Sequence, residues 1–233
     1  MRKKVVSAGL VCLDVTPVFP PTSKKAADIF VPGRLIEVGY VELATGGSVA
    51  NTGLAMRKYG LDVTLMGMVG RDPFGRIVMD ILEKSGNVDG VIVTDKCSTT
   101  YSIVLAPPGV DRIFLHFPGS DDVFSYDDVD YEKVRGADLF HFGYASLMRR
   151  LYENGGDGLI RMFRKVKELG VLTSLDMAAI DPHSDAAKAD WRAILKKLMP
   201  YVDFFVPSVE ELCFMLDRER HASWLARAGG EDV

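Results

Sequence analysis

The stretch Ala44-Thr45-Gly46-Gly47-Ser48-Val49-Ala50-Asn51 holds residue types from which a small-ligand site can be built. Glycine lacks a Cβ, so the backbone at Gly46 and Gly47 can come close to a ligand. The N–H groups there point outward as donors, near the positive start of the helix that follows. Asn51, one turn in, offers a donor and an acceptor from a single side chain. Such a set suits a small, hydroxyl-rich molecule. An ordinary strand–turn–helix junction uses the same residues, and on this stretch alone both readings stay open.

Acidic and polar side chains recur where apolar runs end. Asp14 follows the run from Val5 to Leu13, and Asp176 follows Val171 to Leu175. Ser208, Glu210 and Glu211 follow Val202 to Val206. In a parallel α/β sheet the C-terminal ends of the strands share one edge, where ligands bind. A carboxylate there can accept hydrogen bonds from sugar hydroxyls, and a second can hold a Mg2+–water cluster on a phosphate. The competing roles are local: a turn-forming Asp14 before Pro17, and helix caps at Asp176 and Glu210.

Other chemistries find little support. There is no GxxxxGK[ST] phosphate loop and no GxSxG elbow. Gly67-Met68-Val69-Gly70 resembles part of a dinucleotide fingerprint, but the spacing is wrong and Pro73 follows. His116, His141, His183 and His221 have no metal spacing, and His141 lies inside an apolar strand, where a satisfied core histidine is the simpler reading. Cys12, Cys97 and Cys213 are odd in number and far apart, so neither a disulfide framework nor a zinc site is indicated, and a reducing cytoplasm fits.

The elements that must position these residues follow a strand–helix rhythm. Val5 to Leu13 reads as a first buried strand. Ser48 caps a helix running to Tyr59, with Gly60 as its stop. Val63 to Val69 is a strand. Phe74, Ile77, Val78, Ile81 and Leu82 then fall on one face of a helix that stops at Gly86. Val88 to Val93, Asp138 to Phe142, Val171 to Leu175 and Val202 to Val206 are further strands. Tyr126 to Arg135 is a short acidic helix. Leu159 to Val166 and Trp191 to Leu198 mark longer ones, and Ser208 caps a helix carrying Leu212 and Met215. Asp217 to Val233 has weak periodicity and no finishing element. Strands alternating with helices imply a mostly parallel sheet covered on both faces.

Two stretches break the rhythm. Residues 15 to 45 are rich in proline, with partial alternation from Arg34 to Leu43. Residues 99 to 117 read as a β-hairpin, Tyr101 to Leu105 and Ile113 to Phe117 around a turn at Pro107-Pro108-Gly109-Val110-Asp111. Together they make a small sheet standing off a core built from 1–14, 46–98 and 118–233, in the place of a lid.

The chain has 233 residues, 48% hydrophobic and 26% charged, with net charge −4. That is globular composition, and the mild acidity argues against a nucleic-acid surface. Arg2-Lys3-Lys4 before an apolar run looks like a signal peptide, but Asp14 interrupts it and no small-residue cleavage site follows. No uncharged apolar run reaches the ~18 residues a membrane helix needs.

The residues resemble the ribokinase-like, or PfkB, carbohydrate kinases. Gly9 to Asp14 is similar to that family's first strand with its sugar-binding aspartate. Gly46 to Asn51 resembles its GGxxxN motif, and Gly67-Met68-Val69-Gly70-Arg71-Asp72-Pro73-Phe74-Gly75 its GxVGxDxFG signature. Phe117 to Asp121 resembles the segment after the lid hairpin, and Pro207 to Leu212 the NxxE region. The resemblance implies an α/β core with a β-sheet lid, and Mg2+-dependent transfer of the γ-phosphoryl group of ATP to a sugar hydroxyl. It implies sugar contacts from Asp14, Gly46, Gly47 and Asn51, and nucleotide-side roles for Ser208, Asp176 and Glu211, with Glu211 reaching Mg2+ through water. It further implies a homodimer paired through the lids.

This sequence departs from the pattern at Ser208, where the family has asparagine, and at Asp176 to Ile180, where the family's DxNxR lacks its Asn and Arg. The family's glycine-rich segment with the aspartate that deprotonates the acceptor lies beyond Val233, so the resemblance covers only the leading part of the family's length. Tyr144 and Ser146, after Phe142, are candidates for reading the sugar. A nucleoside acceptor and a non-catalytic sugar- or nucleoside-binding protein are the alternatives.

Overall fold

Apolar β-branched runs separated by amphipathic helices fold as the rhythm requires. A computed structural model describes residues 2–21, 26–109 and 111–228. In chain order the elements are β1 (Lys4–Gly9), β2 (Cys12–Pro17), α1 (Ala26–Ile29), β3 (Val41–Gly46), α2 (Gly47–Lys58), β4 (Asp62–Gly70), α3 (Pro73–Glu83) and β5 (Val91–Thr94). β6 (Tyr101–Leu105), β7 (Ile113–Phe117), α4 (Tyr131–Val134), β8 (Leu139–Gly143), α5 (Arg149–Glu168), β9 (Leu172–Asp176), α6 (Trp191–Leu198), β10 (Phe204–Phe205), α7 (Val209–Leu216) and α8 (Arg218–Arg227) follow.

Six strands form a parallel sheet in the order β10-β9-β8-β1-β4-β5. Alternation along each strand supplies two apolar faces. Val6, Ala8, Phe140, Phe142 and Leu175 pack with Leu159, Met162, Phe163 and Val166 of α5 and with Trp191 and Ile194 of α6. On the other face Val5, Val63 and Leu65 pack with Val49 and Ala50 of α2 and with Val78 and Leu82 of α3. This second layer thins towards β9 and β10, where Leu172 is 49% and Phe204 52% exposed.

The remaining strands form a separate mixed sheet, β3-β2-β6-β7. β2 pairs antiparallel with β3 and parallel with β6, and β6 with β7 form the expected hairpin. The turn residue Val110 and the tail Gly229 to Val233 lie outside the described residues.

Several elements differ from the sequence reading. The run Val5 to Leu13 is not one strand: Gly9 has φ 126, and the chain leaves the core sheet there to enter the small sheet as β2. Asp14 therefore sits on a small-sheet strand, opposite Ala44, and does not end a core strand. Ser48 is not the cap of α2. Gly46 holds that position, while the buried Ser48 hydroxyl donates across to the Gly143 carbonyl at 3.0 Å. The alternating stretch from Arg34 contributes a strand only from Val41. Tyr126 to Arg135 divides, because Asp130 caps α4 by accepting from the Glu132 and Lys133 N–H groups. α5 kinks where Asn154, Gly155 and Gly156 take positive φ. Asp217 caps a further helix, α8, where no element was expected.

Gly47 has φ 83, and a Cβ there would stand 2.3 Å from the Leu10 carbonyl oxygen. A left-handed non-glycine residue alone costs ~1–2 kcal/mol, and the clash adds to it. Gly47→Ala is expected to lower unfolding free energy by about 2–3 kcal/mol, read as a reduced urea midpoint at unchanged slope. An unchanged midpoint would show that this junction yields easily.

Candidate functional site

Three backbone segments meet where β1 ends. The Leu10 N–H donates to the Gly143 carbonyl at 3.3 Å, and the Val49 N–H donates to the Leu10 carbonyl at 3.1 Å. A Cβ on Gly143 would stand 2.3 Å from Cβ of Ser48. The junction therefore brings together the end of β1, the start of α2 and the end of β8, with the Ser48 side chain seated between α2 and β8. The glycine pair of α2 is first an internal device, with Gly47 making room for Leu10 and Gly46 for Asp14.

Asp14 is half-buried, and a Cβ on Gly46 would lie 2.4 Å from its Oδ2. The Cys12 thiol donates to Asp14 Oδ1 at 3.5 Å. Burial pushes the Asp14 carboxyl above its usual range, and this bond partly offsets it. Burial, with the charges of Asp14 and Asp121, pushes the Cys12 thiol far up, so Cys12 serves as a neutral donor. Sequence reasoning missed Cys12, whose only signal was its i, i+2 spacing to Asp14 on one strand face.

Asn51 is exposed on α2; burial raises the Tyr144 phenol above its ordinary range, and Asn51 partly offsets this. Tyr144 follows β8 and has Cys12, Asp176 and Glu211 among its charge neighbours. Its N–H donates to the Asp176 carbonyl at 3.1 Å. Ser146 turns away from a ligand role: its hydroxyl donates to the Ala178 carbonyl at 2.8 Å and accepts from the Ala178 N–H at 3.0 Å.

Asp176 and Glu211 come from the ends of β9 and the start of α7. Asp176 accepts from the Met177 N–H at 2.9 Å. Ser208 and Glu211 form a reciprocal cap: the Ser208 N–H donates to Glu211 Oε2 at 2.8 Å, and the Glu211 N–H donates to Ser208 Oγ at 3.1 Å. The capping role weighed from the sequence for Asp176 and Glu210 falls here to Ser208 and Glu211. Glu210 faces His221 Nε2 at 3.5 Å, away from Asp176 in its contacts.

Asp72, in the signature after β4, is structural. It accepts from the Gly75 N–H at 2.9 Å, the Thr99 N–H at 2.7 Å and the Thr99 hydroxyl at 2.9 Å. Asp121, fully buried, accepts weakly from the Val11 N–H at 3.4 Å, and its Oδ2 has no partner among the described residues. His141, beside Ser174 Oγ at 3.1 Å, is the buried core histidine expected.

Burial first, and then the charge of Glu211, pushes the Asp176 carboxyl up to about 6 against the Met177 N–H bond. Its folded form binds a proton more tightly than the unfolded chain. It therefore adds stability at low pH that is lost as pH rises through about 6. A carboxyl resonance of Asp176 is expected to titrate near that value, and Glu211→Gln to move its midpoint down. A titration in the ordinary carboxylate range would show that the two acids do not sense one another.

Among the described residues no helix is long and apolar enough to cross a membrane. Fructokinase-2 of Oryza sativa subsp. japonica is 29% identical over 217 residues, 91% of this chain and 59% of the relative. Fructokinase-1 of Zea mays is 29% identical over 178 residues, 75% of this chain and 51% of the relative. The chain thus spans little more than half the length of these curated relatives. The crystal structure of fructokinase from Xylella fastidiosa aligns with TM-score 0.71 at 20% identity, over 97% of this chain and 69% of that one. The Arabidopsis thaliana ribokinase complexed with ribose and ATP aligns with TM-score 0.67 at 18% identity, over 98% of this chain and 69% of that one. These structures share the ribokinase-like fold, a parallel central sheet with a small second sheet. The sequence pattern of the pfkB family carbohydrate kinases matches residues 2–231, and the chain belongs to that family.

Proposed function

We propose that this protein transfers the γ-phosphoryl group of ATP to a hydroxyl of a small carbohydrate. The observation that carries the reading is one continuous edge. It runs from Asp14 beside Gly46, and Asn51 on α2, past Tyr144, whose N–H donates to the Asp176 carbonyl, to the acids Asp176 and Glu211. The names of the relatives, fructokinases and a ribokinase, support a sugar as acceptor.

Asp14 and Asn51 would orient the acceptor, because a carboxylate and an amide can together accept from and donate to neighbouring hydroxyls. Phosphoryl transfer is mostly positioning and electrostatic stabilisation. Among the described residues no three acids, histidines or cysteines cluster as a metal cage. Two carboxylates are nonetheless what Mg2+ uses, since it keeps several waters and binds mainly through phosphates. The fit rests on the donor set: the half-buried Asp176 carboxylate accepts from the Met177 N–H, and neither it nor Glu211 is paired with a lysine or arginine among the described residues. Glu211, through water, with Asp176 beside it would hold that ion, and Ser208 would stand on the nucleotide side. When bound, Mg2+ would neutralise charge on the transferring phosphoryl group. No residue of this chain is assigned as the base for the acceptor hydroxyl.

The small sheet, from segments 15–45 and 99–117 with β2 and β3 extending to Cys12 and Gly46, would act as the lid that excludes water from transfer. Its strands expose Leu43, Phe114 and Leu115, an apolar surface of the kind that pairs with a second copy. A homodimer through the lids follows from that reading. The three unpaired cysteines fit a cytoplasmic protein.

The complete gene product, with ATP and Mg2+, is expected to release ADP with a hexose, ketose, pentose or keto-deoxy sugar acid. Asp14→Asn should raise the sugar KM by ~10–100-fold, the worth of a charge-assisted hydrogen bond, and leave the ATP KM unchanged. Absence of ADP release across a broad sugar panel would sink the reading. Adenosine or inosine serving where sugars do not would turn it to a nucleoside kinase. Sedimentation velocity is expected to show a dimer that Leu115→Asp converts to monomer. A wild-type monomer would remove the lid pairing.

A further inference from the structure

The hairpin of the small sheet sets a histidine in line with Asp14. Residues opposed in register share one face of a sheet. Ala44 of β3, Asp14 of β2, Ser102 of β6 and His116 of β7 are opposed in turn across all four strands, so they form one row on one face. The positions between them face the other way. Leu13 and Val15 pack with the α2–α3 layer, and Tyr101, opposite Leu13, meets Phe74 of α3 with ring centroids 5.3 Å apart. The exposed apolar residues Leu43 and Leu115 oppose Val15 and Ile103 and lie on that second face. The row of Asp14 and His116 is therefore on the face turned to the candidate site, where Asp14 meets Gly46.

The hydrogen bonding along the row assigns the protons. Ser102 is buried, and its hydroxyl lies 3.0 Å from Nδ1 of His116, its side-chain partner among the described residues. A buried hydroxyl keeps its proton in a hydrogen bond, so Ser102 donates and Nδ1 accepts. The ring is neutral: desolvation lowers the imidazole below its ordinary range, and the charge of Asp122 offsets only part of that. The ring proton then sits on Nε2. His116 is exposed, and no partner holds Nε2 among the described residues.

The two ends of the row are thus complementary. The Asp14 carboxylate accepts and the His116 Nε2–H donates. Their strands stand two spacings apart, about 10 Å. One hydroxyl cannot serve both groups. A molecule with hydroxyls on several carbons can donate to Asp14 with one and accept from His116 with another.

We infer that His116 is a specificity-determining residue whose Nε2–H holds an acceptor hydroxyl remote from the one at Asp14, and that Ser102 is its positioning residue. The inference rests on the sugar-kinase reading of this edge and adds to it a polyhydroxylated acceptor gripped at two separate points.

Steady-state kinetics on the complete gene product test it. The acceptor is whichever of fructose, glucose, ribose or a keto-deoxy sugar acid wild type uses best, together with analogues of it that each lack one non-reacting hydroxyl. His116→Leu should raise the sugar KM ~5–10-fold, the worth of one neutral hydrogen bond, and leave the ATP KM and the urea midpoint in place. His116→Gln, whose amide N–H can stand where Nε2–H stood, should recover most of that loss. One deoxy analogue should lose a similar factor with wild type and be indifferent to His116→Leu, a coupling that a merely structural histidine would not give. Ser102→Ala should raise the sugar KM by part of the same factor, and by nothing further in the His116→Leu background. An unchanged sugar KM in His116→Leu, or an equal loss across all the deoxy analogues, would overturn the inference and leave the kinase reading standing. Failure of wild type to phosphorylate any sugar would remove the kinase reading, and this inference with it.

Discussion

One backbone hydrogen bond sets the geometry of everything around the candidate site. The Val49 N–H reaches the Leu10 carbonyl at 3.1 Å, joining the second residue past Gly47 to the point where the chain leaves the core sheet. That distance is attainable only because Gly47 takes φ 83 with no Cβ. On the other side of Leu10 its own N–H is tied to Gly143, whose carbonyl also accepts from Ser48. Asp14 lies four residues beyond this junction on β2, Asn51 four residues beyond Gly47 on α2, and Tyr144 one residue beyond Gly143. Three side chains from distant parts of the sequence are thereby fixed relative to one backbone contact.

The electrostatics of the edge follow from how little positive charge it contains. Asp14 and Asp176 are both raised by burial, and Asp176 is raised further by Glu211. Carboxylates placed in this way usually have a basic partner, yet these hold neutral or backbone donors: the Cys12 thiol, the Met177 N–H and the Ser208 N–H. On the sugar-kinase reading, such carboxylates would take hydroxyl donors at one end and a cation at the other. By contrast, exposed acids elsewhere pair locally, as Asp138 does with Lys3 and Asp203 with Lys167.

Much of this was legible in the sequence, and the exceptions have physical causes. The parallel rhythm, the hairpin and the face of α3 are periodic signals, and they appear where periodicity places them. The break at Gly9 was not legible, because Val5 to Leu13 is buried on both sides of it: β1 ends in the core sheet, β2 begins in the small sheet, and an apolar run carries no mark of the change. Ser48 followed two glycines and looked like a cap, but tertiary contact with Gly143 claimed its hydroxyl and Gly46 became the boundary. α8 is largely polar, and its start depends on the Asp217 cap and not on an apolar stripe. The left-handed turn at Tyr144 had no sequence signal, since the residues that announce that region are glycine and asparagine. Asp14, Asn51 and Tyr144 were candidates in the sequence, while the thiol of Cys12 beside Asp14 required coordinates.

The same bonds decide how motion of the small sheet would be felt. Four connections join it to the core, and each is tied at its root. Val11 is bonded to Asp121, and Leu13 to the Thr100 carbonyl at 3.1 Å. Thr99 is bonded to Asp72, and the Thr100 hydroxyl donates to the Pro118 carbonyl at 2.6 Å. The fourth connection is Gly46–Gly47 itself. A sheet rooted in this way cannot swing as a free flap, because the cost of breaking buried bonds falls at every root. It can twist about the roots, and the strand pair nearest them is β2 with β3, which carries Asp14 opposite Ala44. Displacement of the sheet is therefore transmitted first to the Asp14 carboxylate against Gly46. The part of the molecule that would cover the acceptor is mechanically continuous with a residue that would bind it.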